Sequence, residues 1–546
     1  MPNFVETLLS ADPETSALVV RGRSISHGEL RSDVERWAAR LFETGLVPGD
    51  RVVLLSDNSA CHVVAYLATL YAGGVAVPLS PSASSGRLRA QVRLSEARWG
   101  FVEGKYVERL RDASIDSQLH HVWVDSEPGR TALPAGWERA AMLQASDAGR
   151  RRPPAPRSAN DLAVISFTSG STGAPLGVMV SHRNLEANTR SIISCLALTP
   201  RDRGLLVLPL SYCYGASILH THLAAGGSVT MARTFAYPET VLDDLAASAS
   251  TGFYGVPSTY QVLLRRSTFT TRRFPHLRYM AQAGGHLAPS YINEIRAAFP
   301  EVPLYVMYGQ TEATARLSCL APEKLTTKPG SIGRGIPGVT LRVLRPDGQP
   351  AAVGEVGEIV ASGENVALGY LGDPEATAAH YRDGCLWTGD IAIVDDDGDI
   401  FIKDRRRDFI KVGGERVGSR EIEDVIAELP DVVDVAVVGV PHDTLGEAIA
   451  AHVVTRPDST LNKDLVVRHC RSRLGKEQEP TFVEFRTDLP RNESGKVMKA
   501  ALRPGTVGPR PSRECQPEPT LPLHRRKGPR PTAGRATGRP RSRRPS

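Results

Sequence analysis

The sequence predicts an α/β protein. It should have a large N-terminal domain with parallel-type sheets, a small β-rich subdomain, and a small α+β C-terminal domain. Three observations lead there. Helix and strand patterns alternate through the first two hundred residues. From 338 to 403 the texture changes to short strands with Gly turns: "TLRVL", "EVGEIVASG", "DIAIVDDDGDIFIK". And 546 residues exceed what one core can organise.

The elements follow in order. Over 26–45, "SHGELRSDVERWAARLFETG" sets Leu30, Val34, Trp37, Ala38 and Leu41 at helical spacing, with Gly45 as the stop. "RVVLLS" (51–56) reads as a buried strand, and a second helix–strand pair follows over 62–79. "RPPAPR" near 152–157 marks a surface loop. A strand over 162–167 runs into a Gly/Ser-rich loop; a helix over 182–196 and a strand over 204–210 come next. A boundary falls at about 403–407. Beyond it, Ser419 can cap a helix over 420–429, strands cover 432–440 and 448–455, and a helix covers 463–474. The expected division is therefore 1–403, 404–503 and a tail, 504–546.

An apolar share of 41% with 23% charged residues is ordinary for a water-soluble protein. The most apolar stretch, 62–79, holds Gly-Gly and ends near Pro, so no membrane span is expected. The first residues lack the basic-then-apolar order of a signal peptide. Seven cysteines form no CxxC pair and no Cys/His metal spacing. The expected location is the cytoplasm, with free thiols.

The net charge of +6 belongs to the tail. Residues 504–546 carry eleven Arg and Lys against two Glu, a net of +9, leaving −3 for residues 1–503. The tail is rich in Pro and Arg, cannot bury a core, and is expected to be disordered. The mildly acidic folded part is not expected to bind nucleic acid.

The chemistry is signalled first by "TSGSTGAPLGV" (168–178). A strand entering such a loop is the usual setting for a phosphate cradle. Thr168, Ser169, Ser171 and Thr172 offer hydroxyls, while Gly170 and Gly173 allow close backbone approach. A plain surface turn would read the same way. Four more segments change the weighting: "YGQTEA" (308–313) after an apolar strand, "TGD" (388–390), "DRRRDFIKVGGERV" (404–417) and "PRNESGKVMK" (490–499).

In this order and spacing the chain resembles the adenylate-forming superfamily, which includes AMP-dependent acyl-CoA synthetases, over about residues 10–503. The resemblance implies ATP-dependent conversion of a small carboxylic acid to an acyl-adenylate. Transfer to the pantetheine thiol of coenzyme A or of an acyl or peptidyl carrier protein would follow. It implies ATP, Mg²⁺ and coenzyme A or phosphopantetheine as cofactors.

It also implies roles residue by residue. Tyr308 and Gly309 flank the adenine, Thr311 touches phosphate, and Glu312 holds Mg²⁺, a hard cation that favours oxygen ligands. Asp390 accepts from the ribose hydroxyls, with Arg405 beside it. Lys496 brings an ammonium to the charge that builds on the reacting phosphate and carboxylate. Arg407 falls at the hinge about which the mobile C-terminal domain swings, and Gly414 lies on the thiol channel. The acid would meet Tyr212, Cys213, Tyr214 and Met307, with Gly284 and Gly285 forming the wall toward the adenine.

Two departures from the superfamily pattern keep other readings open. Cys213 stands where amino-acid-activating relatives usually place an Asp, and a buried thiol cannot pair an ammonium. That speaks against a stand-alone amino-acid adenylating enzyme. Leu176 stands where a Lys is usual, which is the one support for a degenerate, non-catalytic homologue.

Overall fold

Ser26 caps the first long helix, His27–Glu43, by accepting from the Glu29 N–H, while Glu29 bonds back to the Ser26 N–H. This reciprocal cap fixes the start that hydrophobic spacing alone leaves loose. The computed structural model describes residues 3–115, 117–125, 133–139, 153–169, 175–233, 235, 237–492 and 495–504. Among them, no helix is long and apolar enough to cross a membrane.

Three sheets organise the described residues. The first has seven strands in the order Trp137–Arg139, His121–Asp125, Trp99–Glu103, Arg51–Leu55, Val75–Pro78, Leu162–Ser169, Pro175–Ser181. All pairs are parallel except the last, an antiparallel hairpin. The second has fourteen strands. Its parallel half runs from Ser16–Val20 through Ser228–Met231, Arg203–Leu206, Gly252–Gly255 and Tyr279–Gln282 to Leu304–Tyr308. There it turns antiparallel and continues through the predicted β-rich region to Val339–Leu344. Helices lie on the faces of both sheets, as parallel sheets require. The largest core cluster joins helices Ala60–Tyr71, His182–Leu196 and Cys213–Ala224 with strand residues of both sheets.

The third sheet is the small C-terminal one, with five strands including Val432–His442, Gly446–Thr455 and Phe482–Arg486. Its own core gathers Ile410, Ile422, Ile426, Val437, Ile449 and Val466.

Two expected elements are shorter than their patterns. The strand expected over 204–210 stops at Leu206. Its continuation is held by Asn58, whose side chain donates to the Leu208 carbonyl (2.8 Å) and accepts from the Leu210 N–H (2.8 Å). Pro209 has no N–H for a ladder. The helix expected over 420–429 runs Ser419–Ile426, with Gly418 at the cap. Ser419 is drawn instead to Asp404, its hydroxyl donating at 2.6 Å.

Candidate active site

Tyr308 ends the strand Leu304–Tyr308, and its side chain reaches Asp390 on Cys385–Val394. Asp390 also sits directly across the ladder from Arg405. The Tyr308 hydroxyl donates to Asp390 Oδ2 at 2.6 Å, and Arg405 Nε donates to Oδ1 at 3.2 Å. The Asp390 carboxylate is buried at 4% exposure, while the Arg405 side chain is 46% exposed. Burial, and then the Asp390 charge, raise the Tyr308 phenol well above its ordinary range, so it stays protonated and donates.

The turn after Tyr308 explains its glycine. A Cβ on Gly309 would fall 2.0 Å from the Ala315 carbonyl oxygen. The chain folds back tightly there, and the short helix Thr311–Ala313 begins within the fold. Thr311 Oγ1 lies 3.5 Å from Cys213 Sγ. Glu312 Oε1 accepts from the Tyr370 hydroxyl at 3.0 Å, and the Glu312 carbonyl accepts from the Tyr381 hydroxyl at 3.3 Å. No described residue bonds to Glu312 Oε2, leaving it available to a cation.

Lys496 reaches this place from the far end of the chain. Its segment is a small hairpin in which Arg491 bridges Val497 and Asn492 bonds the Lys496 N–H and C=O. Gly495, at φ +79°, sits against Ser258 and Val256 of the large domain. Burial holds the Lys496 ammonium below the ordinary lysine range, and the Arg405 charge pushes the same way. Cys213, Asp390 and Glu312 oppose that shift. Its Nζ has no ion-pair partner among the described residues.

The other side of the site is walled by aromatics. Tyr212 precedes helix Cys213–Ala224. Its hydroxyl stands 2.9 Å from where a Gly284 Cβ would be, and Gly284 has φ +90°, so only glycine fits. A Gly285 Cβ would touch Pro257 at 3.1 Å. Tyr214 is buried, donates to the Ala281 carbonyl at 3.2 Å, and meets the Tyr212 ring edge-on. Met307 is buried within the main core cluster. Burial pushes the Cys213 thiol up.

The structure therefore brings Tyr308, Asp390, Arg405, Thr311, Glu312, Cys213 and Lys496 into one neighbourhood. It does not bring in Gly414, which occupies the exposed turn between Ile410–Val412 and Glu415–Val417 with open space around it. Arg407 is exposed, its carbonyl accepting from Arg503 at 3.2 Å. Gly170, Ser171, Thr172 and Gly173 lie outside the described residues, as does the side chain of Ser169. Thr168 is a half-buried strand residue paired with Leu176. Leu176 is thus on the second strand of the hairpin, packed against the main core, and not within the loop itself.

Three contributors escape the sequence reading. Tyr370 positions Glu312, and "LGYLG" carries no signal for it. His286 and Asp424 meet at 2.6 Å across the two domains. Arg316, five residues beyond Thr311, is buried against the ring of Tyr214.

The side chains that converge here come from both ends of the chain and mark a candidate active site. Comparison with known proteins gives the family. The AMP-binding enzyme family matches residues 5–371, and the AMP-binding enzyme C-terminal domain matches 421–496. The chain belongs to the AMP-binding enzymes, the adenylate-forming superfamily. It is 32% identical over 488 residues to 3-[(3aS,4S,7aS)-7a-methyl-1,5-dioxo-octahydro-1H-inden-4-yl]propanoyl:CoA ligase of Rhodococcus jostii, covering 87% of this chain and 92% of the relative. It is 29% identical to oxalate–CoA ligase of Arabidopsis thaliana, covering 91% and 97%. The crystal structure of ATP-bound MatB from Rhodopseudomonas palustris superposes with a TM-score of 0.81 at 31% identity, covering 92% of this chain and 98% of that one.

Proposed function

We propose that this protein is an AMP-forming acid–thiol ligase that activates a carboxylic acid with ATP and passes the acyl group to coenzyme A. What supports this is that Lys496, from the C-terminal part of the chain, feels the charges of Glu312, Asp390 and Arg405, with Gly495 beside it held against Ser258 and Val256.

In this reading Asp390 accepts from the ribose hydroxyls, and Arg405 and Tyr308 hold the carboxylate in place for them. The nucleotide finds that acceptor pre-oriented, which lowers the entropic cost of binding. Thr311 donates to the α-phosphate. Lys496 draws the acid carboxylate toward that phosphate and offsets the negative charge that grows as the new oxygen–phosphorus bond forms and pyrophosphate leaves. The chemistry needs alignment and charge neutralisation more than a covalent helper. Glu312, with a free carboxylate oxygen, suits a Mg²⁺ ion shared with phosphate oxygens and water. The ion would offset phosphate charge.

The thiol step asks for a different face. Gly414 lies in the open here, so bringing it to the acyl-adenylate requires residues 404–503 to rotate against 1–403, with Arg407 at the pivot. The tail, 504–546, lies beyond every segment used. The relatives named above are CoA ligases, which favours coenzyme A over a carrier protein as acceptor. Cys213 offers no anion to an α-ammonium, which disfavours an amino acid.

ATP–pyrophosphate exchange across a panel of acids, followed by detection of the CoA thioester, tests the reading. Acid-dependent exchange with thioester formation is expected. Exchange confined to α-amino acids, or none with any acid, would overturn it.

A further inference from the structure

One stretch of chain, 367–381, holds Glu312 by both its main chain and its side chain. The Glu312 carbonyl accepts from the Ala367 N–H at 3.0 Å and from the Tyr381 hydroxyl at 3.3 Å. The carboxylate accepts from the Tyr370 hydroxyl at 3.0 Å, and no other described group bonds to it. A glutamate side chain has several torsions free to turn, so this phenol is what fixes the direction of the open oxygen. A phenol carries its proton at neutral pH and brings no charge, so it orients the carboxylate without competing with a cation for it.

The same stretch is bonded to the hairpin whose sequence reads as a phosphate cradle. Strand Pro175–Ser181 pairs with Leu162–Ser169 along one edge. Along the other, the Leu368 N–H donates to the Met179 carbonyl at 2.8 Å and the Met179 N–H to the Gly369 carbonyl at 2.9 Å. The Leu371 N–H donates to the Gly177 carbonyl at 2.7 Å, and Tyr370 is bridged to Val178. The two sets of bonds meet at Tyr370: its main chain lies on the hairpin and its hydroxyl on Glu312. Its ring is fixed as well. Tyr370 is buried, with the rings of His380 and Tyr381 edge-on at 5.8 and 5.7 Å. Its N–H donates to Thr377 Oγ1 at 2.9 Å, on the helix Pro374–His380 that Asp373 caps.

We propose that Tyr370 is a positioning residue for the Mg²⁺ that Glu312 would hold, keeping that carboxylate in register with the hairpin strand Pro175–Ser181. The inference rests on the ligase reading and deepens it. Tyr370 touches neither the ion nor the reacting atoms; it acts through Glu312.

The test uses the full chain and Tyr370→Phe, which removes the hydroxyl and keeps the ring between His380 and Tyr381. Binding of α,β-methylene-ATP, an analogue that cannot be adenylated, is measured by calorimetry over a range of Mg²⁺ concentrations and in EDTA. In the wild type, affinity should rise with Mg²⁺ to a plateau. In Tyr370→Phe the half-saturating Mg²⁺ should increase by about 10–100-fold, the usual loss when a group that orients a metal ligand is removed. Affinity in EDTA and the KM for the acid in pyrophosphate exchange should stay as they were; a residue that only supported the fold would lower these as well. In a Glu312→Gln background, Tyr370→Phe should add no further loss, because the two residues act as one unit. An unchanged Mg²⁺ requirement in Tyr370→Phe, an equal loss with and without Mg²⁺, or a full additional loss on top of Glu312→Gln would each overturn the proposal. The Mg²⁺ titration needs no acid, so it separates this inference from the ligase reading. A Mg²⁺ requirement that shifts as expected, with no exchange on any acid, would sink the ligase reading and leave the role of Tyr370 standing. Acid-dependent exchange in an enzyme whose nucleotide binding ignores Mg²⁺ would do the reverse.

Discussion

The nucleotide side and the acid side of the site differ in how their charges are met. Asp390 is buried and already bonded twice, by the Tyr308 hydroxyl and by Arg405. Lys496 and Arg316, in contrast, form no ion pair with any described carboxylate. The first region is assembled before any ligand arrives, and its groups need little rearrangement to receive a ribose. In the second, Asp390 and Glu312 favour the Lys496 charge without forming an ion pair with it. In the proposed function the nucleotide meets groups already held by the ladder between Asp390 and Arg405, whereas the acid meets an ammonium with no ion-pair partner among the described residues.

That contrast can be broken at its strongest point first. Lys496→Ala should slow adenylate formation by about 10²–10³-fold, the usual loss when one stabiliser of developing charge is removed. Thiol transfer from supplied acyl-adenylate should be nearly unchanged, and single-turnover assays of the two half-reactions would compare them. Equal damage to both would mean that the lysine serves both poses. On the nucleotide side, Asp390→Ala should weaken ATP binding by about 1.5–3 kcal/mol, the value of a hydrogen bond to a charged group. Calorimetric titration with ATP reads this directly, and unchanged affinity would place the ribose elsewhere.

Two smaller effects sharpen the comparison. His286 and Asp424 join the wall of the acid pocket to the C-terminal domain. Asp424→Ala should lower the adenylation rate by about two- to tenfold, equivalent to a hydrogen bond of about 0.5–1.5 kcal/mol, without slowing thiol transfer. A matching fall in thiol transfer would show that the contact is not specific to this pose. Leu176→Lys should change least. The half-buried leucine packs on the core, and a lysine stem can cover the same surface with its head in water. The KM for MgATP should move less than about tenfold, or about 1.4 kcal/mol, and less still at high salt. A larger change that persists in salt would place the new ammonium directly on phosphate.

Much of this was legible in the sequence where local rules and function agree. The helix His27–Glu43 was readable because its apolar spacing and its Ser26 cap point the same way. The strand ending at Leu206 was not, because "VLPL" looks as apolar as a strand and the Asn58 side chain that ends it is about 150 residues away in sequence. Ser419 looked like a helix cap by local propensity, but a tertiary bond to Asp404 claims it. Within the site, Tyr308, Glu312, Asp390 and Lys496 stood out because their motifs recur in order. Arg316 did not, since an arginine in "TARLSC" reads as a surface charge until burial is known. Tyr370 was hidden for the converse reason: a tyrosine between glycines suggests nothing about the carboxylate it will meet.

Asn188, on helix His182–Leu196, accepts from the Arg316 N–H at 3.2 Å and donates to the Arg316 carbonyl at 2.8 Å. Its carboxamide imitates one residue of a neighbouring strand. Asn365 adds a second donor to the same carbonyl at 3.0 Å. The main chain at position 316 is consequently anchored by groups that take no account of which side chain it carries. What projects from there toward Tyr214 behaves as an exchangeable insert in a fixed socket. A lineage, or a designer, could change what packs on Tyr214 at that one position while leaving the main chain that carries it untouched.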